Sequence, residues 1–279
     1  MTAIGLALGA SVLWGVGDFL GAVTSRRLAT LTVLAISQAA GLVGILVVAS
    51  IFGGAFLGGT AIAAAVAAGV GGAVGLGCLY RGMAIGAIGV IAPISATAAV
   101  VPVTVGLARG ERPGAIQLAG VVLALVGVVL VSREPGAAGR LSTGVPLAFL
   151  AALGFGSYFV FMDHASADDA YWAVVVARAS AATLAVTVAV AWSSLRVPPR
   201  GLPVLVAIGL FDVGANLALA LALNVGLVSV VSVLASLYPV VTILLAVAIL
   251  REHPARSQAV GGAVALTGVG LIASAASAA

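Results

Sequence analysis

Residues Glu111–Leu130 and Glu252–Leu271 are one segment written twice. The first reads ERPGAIQLAGVVLALVGVVL and the second EHPARSQAVGGAVALTGVGL; nine of the 20 positions are identical, with no gap. In a chain dominated by Ala, Val, Leu and Gly, unrelated segments coincide at roughly a tenth of positions, given its skew from average usage. The excess marks an internal duplication. Each half is therefore expected to build a structurally similar body.

The repeated unit is written for lipid. Of 279 residues, 63% are hydrophobic and 7% charged, against about 25% charged in soluble domains. No water-soluble fold hides that much apolar surface, so the chain is an all-α integral membrane protein. Barrel strands would alternate in hydrophobicity every second residue, and these runs do not. The net charge of +4 comes from 12 Arg with no Lys, too sparse to argue for nucleic acid. The lone Cys78 allows no internal disulfide and no metal cluster. The first apolar run is long and lacks a basic leader, so it reads as a span rather than a signal peptide.

A span needs about 20 mostly apolar residues. Ten are expected: Ala3–Thr24, Thr30–Phe52, Thr60–Tyr80, Ile85–Ala108, Ala115–Ser132, Gly144–Met162, Ala170–Trp192, Gly201–Leu223, Leu227–Leu250 and Ala255–Ser274. We number these spans 1 to 10. Tight hairpins at Arg81–Gly82 and Asn224–Gly226 join spans 3 to 4 and 8 to 9. Tyr171-Trp172 and Trp192 bracket span 7 as interfacial anchors. The repeats are then residues 1–135 and 140–279, five spans each. An odd count turns the second copy upside down, which gives two inverted repeats. Loops after odd spans hold nine Arg and loops after even spans hold Arg109 and Arg112. The positive-inside rule then puts odd loops in the cytoplasm and both termini outside.

Ser236-Leu237-Tyr238-Pro239, Ala246–Leu250, Glu252-x-Pro254, Gln258-x-x-Gly261 and Gly268 form a pattern that the first half echoes with Pro102, Glu111, Pro113, Gln117, Gly120 and Gly127. Trp14-Gly15 and Phe155-Gly156 open the two copies. This pattern resembles the EamA-type branch of the drug/metabolite transporter superfamily, over essentially the whole chain. The resemblance implies ten helices in two inverted five-helix EamA repeats, and a central cavity lined mainly by spans 1, 3, 4, 6, 8 and 9, with span 7 peripheral. It implies cargo such as amino acids, nucleosides, sugars or other small metabolites, often exported. It also implies cytoplasmic termini, contrary to the Arg bias, and an Arg in the second span of each repeat. Arg178 fills that place in span 7, and Gln38 takes it in span 2.

Charged groups at membrane depth face a cavity or a partner. Asp18, Arg178 and Asp212 are of this kind. Asp212 and Asn216 share a face of span 8. Asp212 reads as a proton-coupling carboxylate, as an anchor for a substrate amine, or as the partner of Arg178 in a structural ion pair. Asp18 reads either as an interfacial carboxylate or as a coupling group, and with Trp14 one turn earlier it suits an amine. Tyr80, Tyr158 and Tyr238 supply phenols that want hydrogen-bond partners. Ser95 and Ser236 either face the cavity or bond back to their helices. Pro93, Pro102 and Pro239 kink spans 4 and 9, as hinges of a gate or as fixed bends. Span 3, with Gly69, Gly71, Gly72, Gly75 and Gly77, should pack closely or bare its backbone to the cavity. The acidic run Asp163–Asp169 reads as a solvated loop.

Together these readings point to a secondary active transporter in the cell (plasma or inner) membrane. It would move a small polar metabolite, an amino acid or similar, by alternating access, as an exporter. No cofactor and no metal site are expected. The partners are a small-molecule substrate, the lipid bilayer and protons as a coupling ion, with a homodimer open. An intramembrane lipid-linked transferase using the acidic loop and a passive or divalent-cation channel are the alternatives.

Overall fold

The computed structural model describes residues 1–86, 88–131, 144–192 and 199–250, and residues 256, 257, 260, 261, 263, 264, 267, 268 and 271 of the last segment. In these the fold is helical throughout. The helices are α1 (Thr2–Ser25), α2 (Thr30–Phe52), α3 (Gly59–Ile85), α4 (Ile88–Ala96), α5 (Val100–Ala108), α6 (Ala115–Val131), α7 (Val145–Ser166), α8 (Ala170–Trp192), α9 (Leu202–Leu223), α10 (Val228–Ala235) and α11 (Tyr238–Leu250). Seven apolar stretches among the described residues are long enough to cross a membrane, with shorter apolar helices at Ile94–Ala108 and Ala115–Gly127. Expected span 10 lies largely outside the described residues; those of it that are described are helical.

A shift of 141 residues, which carries Glu111 onto Glu252, also carries the starts of α1 to α5 onto those of α7 to α11 to within three residues. The packing repeats as well. Helix α1 lies on α9 as α7 lies on α3, α2 lies on α9 as α8 lies on α3, and α2 meets α8 directly. The bundle therefore closes through related faces.

Successive spans alternate in direction, with α4 and α5, and α10 and α11, each continuing one way. Loops after α2, α5, α7 and α9 gather at one end, tied by Asp169 to Gly54, Arg109 to Asp163 and Asn224 to Ser166. At the other end the close of α3 meets the start of α7, where Gly82 and Gly144 touch through backbone. That contact explains one departure from the expected boundaries. Span 3 was expected to stop at Tyr80, with a turn at Arg81–Gly82. Instead α3 runs to Ile85 and turns at Gly86, because close packing offsets the cost of a mid-helix Gly.

Spans 4 and 9 are each broken in the middle. A short 3₁₀ turn, Thr97–Ala99, separates α4 from α5, and Ser236-Leu237 separate α10 from α11. Pro102 is the third residue of α5 and Pro239 the second of α11. In a first turn the missing N–H leaves no hydrogen bond unmade. Pro93 lies within α4, and its side chain is outside the described residues.

The repeated aromatic-Gly pair accounts for the approach of these breaks. A Cβ on Gly15 of α1 would strike Val241 and the carbonyl of Tyr238, and one on Gly156 of α7 would strike Val101 and the carbonyl of Ala98. Bare Gly lets each opening helix lie against the broken span of the opposite half. Thr242 then donates to the carbonyl of Gly15 at 3.1 Å. Side chains on the outside stay apolar, such as Val43, Val47 and Ile51 of α2 and Val66, Val70 and Val74 of α3, which suits a lipid-facing wall.

The acidic run is not simply a solvated loop. Helix α7 continues to Ser166, and its last turn is anchored where Arg109 pairs with Asp163 at 3.0 Å. Asp169 accepts the N–H of Gly54 at 2.8 Å, and Asp168 that of Gly58 at 3.0 Å. The indole of Trp172 donates to the carbonyl of Gly54 and packs edge-on against Phe56, and Tyr171 stacks on Phe52. This end of the bundle is a knitted cap.

Candidate functional site: a pocket between the repeats

Arg178 and Asp212 sit near the middles of α8 and α9, and Asp18 lies in the second half of α1; all three are buried. Asp212 in α9 is where the first two of these charges meet. Its Oδ2 accepts from Arg178 Nη1 at 2.6 Å and from Gln38 Nε2 at 3.1 Å, and its Oδ1 accepts from Trp14 Nε1 at 3.0 Å. Arg178 Nη1 also donates to Gln38 Oε1. Four helices, α1, α2, α8 and α9, are thus joined on one carboxylate. The ion pair expected between Arg178 and Asp212 is present, with side chains 3% and 9% exposed, so water screens it little.

This knot depends on close helix approach. A Cβ on Gly209 of α9 would run into the Ser37 carbonyl of α2, and one on Gly41 would lie 2.9 Å from the Gly209 carbonyl. The two glycines bring the Gln38 and Asp212 backbones within reach of each other. Gly69 does the same for α3 against α8, where a Cβ would strike the Ala177 carbonyl.

Beside the knot lies a pocket with about 650 Å3 of empty space, its open mouth included. Its polar wall is Asp18, Gln38, Arg178, Asp212 and Asn216; its aromatic wall is Trp14, Phe155, Tyr158, Phe159 and Tyr238. Gly69 and Gly72 of α3 bare backbone to it, and Gly71 and Gly75 face α7 instead. Span 3 therefore does both things its glycines allow.

The pocket is wider in origin than expected. Helix α8, which the resemblance makes peripheral, contributes Val174, Ala177, Arg178 and Ala181, and α2 contributes Gln38. The physical reason is the glycine contacts, which draw α2 and α8 inward onto α9 and α3. Of the residues expected to line the cavity, Trp14, Asp18, Tyr158, Asp212, Asn216 and Tyr238 do. Tyr80, Ser95 and Ser236 stand behind the wall. Tyr80 is fully buried and donates to the carbonyl of Gly17 at 3.5 Å. Ser95 donates to Ala92 at 2.6 Å, which leaves Tyr238 to donate to Ser95 across a 2.5 Å contact. This bond ties the end of α4 to the start of α11, at both breaks. The Ser236 hydroxyl is buried with no partner among the described residues.

Sequence reasoning missed Phe155 and Phe159 as pocket residues. The signal was available: a 141-residue shift carries Trp14 onto Phe155 and Asp18 onto Phe159. The same shift carries Arg178 onto Ser37 and Asp212 onto Gly71. The scaffold is repeated, and the charges placed in it are not.

The fold is an all-α membrane bundle of two related halves with a pocket between them. The chain belongs to the EamA-like transporter family, whose sequence model matches residues 1–133 and again 142–274. The family is part of the drug/metabolite transporter superfamily. A solved chain described as "Crystal structure of protein" superposes with a TM-score of 0.77 at 17% identity, covering 96% of this chain and 95% of its own length. That likeness is one of fold. No curated protein matches the sequence.

Proposed function

We propose that the protein is a secondary active transporter that moves a small polar metabolite across the cell membrane by alternating access, in the direction of export. The observation that carries this reading is the pocket. It lies between two structurally related halves, at mid-depth, with its charges on one side and its rings on the other. A site of that kind can be opened to either face by rocking one half against the other. The broken spans 4 and 9, joined by Tyr238 and Ser95, are the elements this motion would bend. Of the roles open to Asp212, its three donors support the structural ion pair. The transferase alternative loses its support, since Asp163, Asp168 and Asp169 are each taken up by Arg109 or by loop N–H groups.

Counterflow in proteoliposomes tests the proposal, using a mixed panel of amines, amino acids, nucleosides and sugars, with and without a pH gradient. Saturable exchange of one class is expected. Flux that never saturates and shows no exchange would identify a channel, and no flux under any gradient would remove the transporter reading.

A further inference from the structure

Among the described residues, two carboxyl groups, Asp18 and Asp212, and one guanidinium, Arg178, line the pocket. Asp212 is answered by Arg178. Asp18 is not answered. It is 4% exposed and lines the pocket, and among the described residues no hydrogen bond or ion pair reaches its carboxylate. A buried carboxylate without a partner costs several kcal/mol, a cost met either by taking up a proton or by a counter-ion from outside.

The surroundings say what kind. Trp14 stands one turn before Asp18 on α1. Its ring is 5.9 Å from Phe159 and 6.5 Å from Tyr238; Tyr238 is 6.5 Å from Phe155, and Phe159 6.3 Å from Tyr158. Five rings thus form a connected wall in the same pocket. Aromatic faces attract ammonium groups, by about 2 kcal/mol or more where water is excluded. An anion would meet two carboxyl groups against one guanidinium. That guanidinium, the one cation of the pocket among the described residues, is engaged through Nη1 by Asp212 and Gln38, and its Nη2 is buried with no partner among the described residues.

We propose that Asp18 is the anionic anchor of the substrate site and that the cargo is an organic monocation, an amine or ammonium with an apolar body and no carboxylate. Its ammonium pairs with Asp18, and its body lies along the Trp14, Phe159 and Tyr238 rings. This rests on the transporter reading and narrows it to one substrate class.

The test uses three probes of one shape: phenethylamine, phenylalanine and 2-phenylethanol. Binding to the purified full chain is followed by calorimetry, for the wild type, Asp18→Asn and Asp18→Glu. The amine should bind at least tenfold more tightly than the alcohol and the amino acid. Asp18→Asn should remove that preference and Asp18→Glu retain part of it, with both variants melting no lower than the wild type. The inference is overturned if the amino acid binds best, if amine and alcohol bind alike, or if Asp18→Asn keeps the amine preference. It is also overturned if Asp18→Asn abolishes only the drive from a pH gradient, for Asp18 would then be a proton site. The broader reading is judged separately by counterflow. Exchange of another class would sink this inference and leave the transporter. Amine binding without any exchange would keep the site and sink the transport.

Discussion

Removing one half of the Arg178–Asp212 pair should cost far more than removing both. Each side chain is almost fully enclosed, and they meet at 2.6 Å. Breaking a buried pair from one side strands a charge, at a cost of about 3–5 kcal/mol, whereas replacing both with apolar groups of similar volume is often neutral or better. Arg178→Met leaves Asp212 with only the Trp14 and Gln38 donors. Hydrogen bonds to a charged group contribute about 1.5–3 kcal/mol each, so these two soften the loss and place it near 3 kcal/mol. Asp212→Leu leaves Arg178 Nη1 with only the Gln38 carbonyl, and Arg178 Nη2 has no partner to begin with. That variant belongs at the upper end, near 5 kcal/mol by the same estimate. For a chain of this size 1 kcal/mol moves Tm by roughly 2–4 °C. The single variants should therefore melt roughly 6–20 °C lower, and Arg178→Met/Asp212→Leu within a few degrees of the wild type. Thermal melts of the four proteins in one detergent complete the cycle. Additive losses in the double variant would refute the reasoning, because they would show that the two side chains act separately.

Three further outcomes follow from the same contacts. Gly209→Ala sets a methyl against the Ser37 carbonyl and should lower stability by about 1–3 kcal/mol, the range for overpacking; a melt matching the wild type would show that α2 and α9 separate freely. Glu111 accepts the N–H groups of Val228 and Ser229 at 2.8 and 3.1 Å and so caps α10 from a distant loop. Glu111→Ala should cost about 0.5–2 kcal/mol, visible as faster amide exchange at the start of α10, and unchanged exchange there would count against the cap. If the Arg bias sets orientation, a cysteine at Thr2 in a Cys78→Ala background should react with an impermeant maleimide added to intact cells, and protection until lysis would put the N-terminus inside.

The fold was legible because lipid imposes a coarse rule and the duplication states it twice. Apolar runs fix where spans lie, and the matched Glu, Pro and Gln positions fix how one half maps on the other. What escaped was set by contacts between residues far apart in sequence. Nothing near Gly82 says that it will pack on Gly144, so the end of α3 was placed five residues early, at Tyr80 rather than Ile85. Nothing near Asp168 and Asp169 says that two loop N–H groups lie above them. The pocket shows the same division. Arg178 and Asp212 could be paired from depth alone, since two charges at one level in a membrane have few other options. Which carboxylate is left over could not be read that way, because it turns on Gln38 and Trp14 reaching Asp212 rather than Asp18. A side chain's partners, more than its depth, decide whether its charge is spent on the fold or left for a ligand. In this chain the duplication built a symmetric frame, and three residues without counterparts in the other half, Asp18, Arg178 and Asp212, made it a site.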